Sequence, residues 1–393
     1  MRRASGRWNV GRCRASSLPA RGRTLAISTA PHILIVKPSS LGDIVHTFPA
    51  VALFRQSAPD AVIDWVAADS LQQTAQLCPG GIRRIIVFPR KELHSLHLGC
   101  LRLLWRSLRE ENYDAIIDFQ GLLRSALMAR AAKAPLRIGF DAGYAREGAW
   151  HFYTHRVTLP PGLKKAHAAE KNLYLMREAM RLLELPGTDD APAPDASPTL
   201  PDGWQESARR SFGSANPAFD CSSVPLIAIG ASSRWPSKSW DTGFFAAVID
   251  EALRLRPGLC FWFLGTPGED AQRAQSVIGQ CRPENRRRLF NLAGRTTIAE
   301  MTALIASSRA MLTNDSGPMH IAAALRVPCV ALFGATSPEL TGPYGPSGRH
   351  TVIRSCCPQA PCFKRQCPLA GRRQCHEGIV PADVAAALLK KLP

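Results

Sequence analysis

The stretch "HILIVKPSSLGDIVHTFPA" occupies residues 32–50. Its first five residues, "HILIV", are an apolar run of strand length that stops at Lys37. Pro38, Ser39, Ser40 and Gly42 then supply loop chemistry, and residues 43–57 have the composition of an apolar helix. A strand, a short loop and a helix make the first half of a parallel βαβ unit. The loop gathers a lysine, two hydroxyls, the Asp43 carboxylate and the His46 imidazole at the strand's carboxyl end. Open α/β sheets bind their ligands at such ends.

The alternation continues outward from this unit. "AVIDWVAA" (61–68), "RRIIVF" (83–88) and "YDAIIDF" (113–119) read as further strands. Residues 70–77, 96–110 and 122–132 read as the intervening helices. Residues 185–203, "LPGTDDAPAPDASPTLPDG", have the Pro, Asp, Ser and Gly content of a linker. Beyond it the pattern resumes. Strands are expected at "PLIAIGA" (225–231), "LCFWFLG" (259–265), "AMLTN" (310–314) and "CVALFG" (329–334). Helices are expected over 242–255, 269–280, 298–307 and 319–325. The chain is therefore α/β, with two doubly wound domains facing across a cleft. Its expected parts are a basic extension (1–30), a first domain (31–184), a linker (185–223) and a second domain (224–393).

With 393 residues, 46% hydrophobic and 20% charged, the chain is globular rather than disordered. Its 49 Lys and Arg against 31 Asp and Glu favour anionic partners: nucleic acid, phosphorylated substrates or a membrane surface. No run is apolar for the ~20 residues of a membrane span, and "LHLGCLRLLWRSL" (96–108) is interrupted by Arg102 and Arg106. The first thirty residues carry seven arginines and no acid. They read as an organelle transit peptide, a basic arm, or sequence upstream of the true start. The clean beginning of a domain at His32 favours the last. The 12 cysteines, without a secretory signal, are expected to be reduced thiols. The cluster "CCPQAPCFKRQC", followed by Cys375 and His376, lacks the C-x2-C knuckle of common zinc sites.

Two loops of the second domain collect polar chemistry. In "TNDSGPMHIAAAL" (313–325) a strand ends at Asn314–Asp315, and Ser316 and Gly317 open a helix with Pro318 in its first turn. The free N–H groups and dipole of that helix mouth suit a phosphate. Asp315 suits sugar hydroxyls instead, or is simply an N-cap. His320 sits at the same helix mouth. In "GASSRWPSKSW" (230–240) Ser232, Ser233, Arg234 and Lys238 cluster after another strand. A shared diphosphate site is the preferred reading of the two loops.

These motifs occur in order with "ENYDAIIDFQGLLRSA" (111–126), "ARE" (145–147), "HAAEKN" (167–172) and "LAGRTTIAEM" (292–301). Together they resemble the bacterial lipopolysaccharide heptosyltransferases, glycosyltransferase family nine. The N-terminal motifs are most similar to heptosyltransferase I; the cysteine-rich tail is more similar to heptosyltransferase II. The resemblance implies a GT-B architecture of two Rossmann-like domains and an inverting transfer of heptose from ADP-heptose to the Kdo of a Kdo-lipid A acceptor. It implies that Asp43 is the catalytic base and that Lys238 stabilises the leaving diphosphate. Ser232, Ser233, Lys238, Asp315, Ser316, Gly317 and His320 would bind the donor, with Glu269 on its ribose and Met301 by its adenine. Arg90, Lys91, Arg124, Arg146 and His167 would meet the anionic acceptor. No cofactor and no metal is implied, and no Asp-x-Asp clamp is evident in these motifs. The protein is expected in the cytoplasm, peripheral on the inner face of the inner membrane. A different family-nine acceptor is the alternative. A nucleotide-sugar epimerase would share the plan, and a basic nucleic-acid-binding protein is the alternative of another class. No nucleic-acid recognition module is present in support of it.

Overall fold

The computed structural model describes residues 30–90, 98–186, 195–200, 202–204, 206, 208, 212–213, 225–346, 348–367, 375 and 378–392. Lys91, His376, nearly all of the N-terminal extension and most of the linker lie outside the described residues.

Two six-stranded parallel sheets dominate the structure. The first holds β1 (His32–Val36), β2 (Val62–Ala68), β3 (Arg84–Phe88), β4 (Ala115–Asp118), β5 (Leu136–Phe140) and β6 (His155–Val157), in the order β3-β2-β1-β4-β5-β6. The second holds β7 (Leu226–Gly230), β8 (Cys260–Phe263), β9 (Leu289–Asn291), β10 (Ala310–Asn314), β11 (Cys329–Phe333) and β12 (Thr351–Arg354), in the order β12-β11-β10-β7-β8-β9. Both are the same doubly wound order, read from opposite edges. Each sheet reverses its direction of growth beside its first strand, between β1 and β4 and between β7 and β10. The loops leaving those four strands are where such a fold places a ligand.

Helices in the first half are α1 (Leu41–Val45), α2 (Phe48–Ser57), α3 (Gln72–Gln76), α4 (Leu98–Arg109), α5 (Leu123–Ala131) and α6 (Ala168–Leu182). Those in the second are α7 (Thr242–Leu255), α8 (Glu269–Gln280), α9 (Ile298–Ala306), α10 (Gly317–Ala324), α11 (Pro338–Thr341) and α12 (Pro381–Leu389). The single helix expected over 43–57 is two helices. The break falls at His46–Thr47, where Pro49 sits in the first turn of α2 and cannot extend an earlier helix. β5, β6, α6, β9, α11, β12 and α12 were not anticipated. β5, β6 and β9 are short, and two of them mix arginine into the strand, so their apolar signal is weak.

Central strands are buried on both faces, as parallel sheets require; β1, β4, β7, β10 and β11 read almost wholly apolar for that reason. The halves share a core. Ile44 and Phe48 of the first belong to the same buried cluster as Met301, Leu304 and Ile321 of the second. Ile298 N donates to Gln73 Oε1 across this contact, at 3.1 Å. No described helix is long and apolar enough to cross a membrane.

Candidate active site

Ser40 caps α1. Its backbone N–H and its hydroxyl both donate to Oδ2 of Asp43, at 2.9 and 2.7 Å. Neither bond uses Oδ1. Burial pushes the Asp43 carboxyl up, but the nearby Lys37 cation and the two Ser40 bonds outweigh it, and the net shift is downward. Asp43 is thus a carboxylate at neutral pH. Lys37 is buried and donates to Phe119 O at 2.9 Å, which ties the β1 loop to the β4 loop. Gln120 Oε1 accepts from Ser39 N at 3.4 Å on the same seam. The "ARE" loop approaches from the other side, with Arg146 N donating to Gly121 O at 2.8 Å. Burial, then the Asp43 charge, push the Tyr144 hydroxyl up, against the opposing pull of Arg146.

Opposite stands the second-domain constellation. Lys238 Nζ lies 2.6 Å from Asp315 Oδ2, and Thr336 Oγ1 donates to the same oxygen at 2.6 Å. Asp315 therefore holds the lysine in this arrangement, a role beyond N-capping. Lys238 also lies 4.6 Å from the centre of the Trp235 ring. Ser233 Oγ donates to Asp315 O at 2.8 Å, and Ser232 beside it is half-buried. Ser316 is the N-cap of α10, with its hydroxyl 3.2 Å from Thr313 Oγ1, and Gly317 begins the helix. Buried Asn314 fastens the two loops, accepting from Trp240 N at 3.1 Å and donating to Ala231 O at 2.7 Å.

His320 joins the two halves. Its Nδ1 is 3.0 Å from Nε2 of His46. Gly42 packs closely against its ring; a Cβ at position 42 would lie 2.3 Å from His320 Cδ2. His167 sits beside them, its ring 4.8 Å from that of His46. One nitrogen of His167 caps α6 through Ala169 N, and the other bonds Gly342 O of the second half at 3.1 Å. Both are engaged within the protein, so in this arrangement His167 is an interdomain contact. Burial pushes all three imidazoles down: His46 well below its ordinary value, His167 to about 4, and His320 lower despite Asp315 and Asp43. They are neutral at pH 7.

The remaining expected residues are dispersed. Arg90, Arg124 and Arg146 are exposed beyond the ends of β3, β4 and β5. Glu269 is exposed at the start of α8. Met301 is buried in the shared core. Sequence reasoning missed Asp118 and Ser237. Asp118 Oδ1 accepts from Gln120 N and Gly121 N at 2.8 and 3.1 Å, and its Oδ2 accepts from Tyr153 OH at 2.8 Å, which shapes the β4 loop. Ser237 is gripped twice by the cysteine-bearing tail: its N donates to Arg365 O at 3.2 Å and its Oγ to Lys364 O at 2.6 Å. The tail thus braces the turn that carries Lys238. Burial, then Cys357, Cys367 and Cys362, push the Cys375 thiol up to about 12. Among the described residues no group of three His, Cys, Asp or Glu side chains is disposed to hold a metal ion.

The model of glycosyltransferase family 9, the heptosyltransferases, matches residues 101–372. This chain belongs to that family. It is a glycosyltransferase with the GT-B fold. Lipopolysaccharide heptosyltransferase 1 of Pseudomonas aeruginosa is 31% identical over 346 residues, spanning 85% of this chain and 87% of that protein. Lipopolysaccharide heptosyltransferase 2 of Escherichia coli is 28% identical over 334 residues, spanning 82% and 87%. The solved E. coli ADP-heptose lipopolysaccharide heptosyltransferase II superposes with a TM-score of 0.71 at 26% identity, covering 92% of this chain and 98% of that one.

Proposed function

We propose that this glycosyltransferase moves heptose from ADP-heptose to the Kdo of the lipopolysaccharide inner core, with inversion. The observation that carries the reading is the opposition of two charges at the two switch points. The Asp43 carboxylate stands on the β1 loop of one sheet, and Lys238 with the mouth of α10 stands on the β7 and β10 loops of the other. The relatives in both heptosyltransferase classes support the donor and the core assignment.

An acceptor hydroxyl has far too high a pKa to attack unaided. Asp43 takes its proton as the oxygen bonds to the anomeric carbon and ADP departs. Ser40 fixes the carboxylate, and Lys37 keeps it ionised. Negative charge grows on the departing diphosphate. Lys238, Ser232 and the N–H groups at Ser316–Gly317 face that charge, and His320 closes the site from the domain seam. Lys238 leaves or shares its Asp315 partner as phosphate arrives. One base without a carboxylate nucleophile fits a single displacement and inversion, by analogy with inverting glycoside cleavage. Glu269 is assigned to the ribose and Met301 to the adenine side. Arg90, Lys91, Arg124 and Arg146 receive the carboxylates and phosphates of the acceptor. That acceptor is a lipid, so the enzyme works at the cytoplasmic face of the inner membrane.

The second reading is the heptosyltransferase II acceptor, which already carries a heptose. The E. coli heptosyltransferase II likeness and the cysteine-rich tail favour it. Incubation with ADP-heptose and either Kdo-lipid A or heptosylated Kdo-lipid A, read by mass spectrometry, separates the two. The first acceptor is expected to gain one heptose. A gain only on the second reverses the assignment, and product from donor alone points to an epimerase.

A further inference from the structure

Helices α4 and α5 pack side by side on one face of the first sheet. Leu104, Leu108, Met128 and Ala129 turn inward against Leu34, Val36 and Ile116. That face of the sheet is thereby covered, yet both helices keep large apolar side chains on their outer sides. Leu103 is 64% exposed, Trp105 53%, Leu127 48% and Leu123 38%. On α5, Leu123 and Leu127 stand four residues apart and form one ridge, with exposed Arg124 and Arg130 on its flanks. On α4, exposed Arg102, Arg106 and Arg109 form a ridge, with Leu103 on one side and Trp105 on the other. Arg109 Nη1 donates to Ala131 O at 3.3 Å, and its guanidinium lies 5.2 Å from the Trp105 ring, so the two ridges are tied into one surface.

Neither helix contains an acidic residue. Glu110 and Glu111, just past α4, are paired with Arg84 and Arg83. Glu147 at the edge accepts from Leu123 N at 3.2 Å. Single exposed apolar residues are ordinary, but three leucines grouped with a tryptophan and five arginines are not. Arginines reach lipid phosphates, tryptophan settles at the head-group level, and leucines enter the acyl boundary.

We propose that the outer face of α4 and α5 docks on an anionic lipid bilayer, with Leu103, Trp105, Leu123 and Leu127 entering its interface and the arginines on its phosphates. The location deepens the functional reading and rests on it in one respect, that the acceptor is a lipid. α5 begins directly after the β4 loop, whose Gln120 touches Ser39 beside the Asp43 turn. A glycolipid in the docked bilayer therefore enters from the side on which Asp43 opens. A contact made by the arginines alone would be released by salt. The exposed apolar groups make part of the contact salt-resistant.

The test is sedimentation of the full chain with vesicles of phosphatidylcholine alone or mixed with phosphatidylglycerol, at low and high salt. Wild type should bind only the mixed vesicles at first contact and keep part of that binding at high salt. The variant Leu103→Ser/Trp105→Ser/Leu127→Ser should lose the salt-resistant part. The variant Arg102→Gln/Arg106→Gln/Arg109→Gln should lose on the order of 100-fold in low-salt affinity, from about 1 kcal/mol per residue. Unchanged thermal midpoint and ADP binding confirm that both variants fold. As a second readout, brominated lipid should quench wild-type fluorescence more than that of Trp105→Phe. Equal pelleting of wild type and the apolar variant at every salt concentration, or equal quenching, overturns the proposal. So does failure to bind any vesicle, and if the same variants then change capture by an acidic protein surface the face belongs to a protein partner. Vesicle binding needs no acceptor, so its outcome stands apart from that of the heptose-transfer assay.

Discussion

The Nε2 of His46 lies 3.0 Å from the Nδ1 of His320, and this bond crosses from one half of the enzyme to the other. One imidazole belongs to the segment that follows the proposed base, and the other to the helix whose mouth faces the donor. The base and the phosphate site are therefore held in register through a pair of neutral rings.

Acid should loosen this seam. The folded pKa values of His46, His167 and His320 are depressed, with His167 at about 4, whereas unfolded histidines titrate near 6.5. Between those limits the unfolded chain binds more protons, so stability is full above about pH 6.5 and falls as pH drops toward 4. The thermal midpoint should decline across that window, and His46→Gln should make the decline shallower. An unchanged slope in the variant would remove the histidine seam from the account.

Gly42→Ala should destabilise the protein by roughly 1–3 kcal/mol, the usual cost of overpacking. The added methyl meets the His320 ring at 2.3 Å, and that ring is held in place by His46. Thermal denaturation reads the loss, and heptose transfer should fall with it. A wild-type midpoint would show that the two helices part without cost.

Lys238→Ala and His320→Ala should each weaken ADP-heptose binding and lower turnover. Ser237→Ala should do so more mildly, because it removes the hydroxyl bond to the Lys364 carbonyl, keeps the backbone bond to Arg365 O, and leaves the charge in place. Calorimetric titration with ADP and the KM for donor are the measurements. If Lys238→Ala leaves both unchanged, the diphosphate assignment is wrong. If only Ser237→Ala is silent, the tail merely packs there.

EDTA should leave transfer largely intact, since Lys238 and the α10 mouth supply positive charge at the diphosphate. Loss of activity restored by Mg²⁺ would contradict this.

The two-sheet plan and three of the four switch-point loops were legible because buried parallel strands are continuous apolar runs and the loops after β1, β7 and β10 collect lysine, serine, aspartate and histidine. Asp43, Lys238 and the α10 mouth were legible for the same reason. The interdomain seam was not. His46, His167 and His320 are far apart in the chain, and nothing local tells a bridging imidazole from a catalytic one. Asp118 and Ser237 were missed because they act by holding loops, through bonds to distant backbone. The break at His46–Thr47 was signalled only by Pro49, while the segment stays apolar across it.

The most direct test of the central claim is the turnover of Asp43→Asn, measured beside its ADP affinity. The substitution keeps the shape of the side chain and removes the base. The account predicts a fall in heptose transfer of about 10²–10⁴-fold, typical for loss of a general base, with ADP binding as in wild type. Near-wild-type turnover by the folded variant would take Asp43 out of the chemistry and contradict the account.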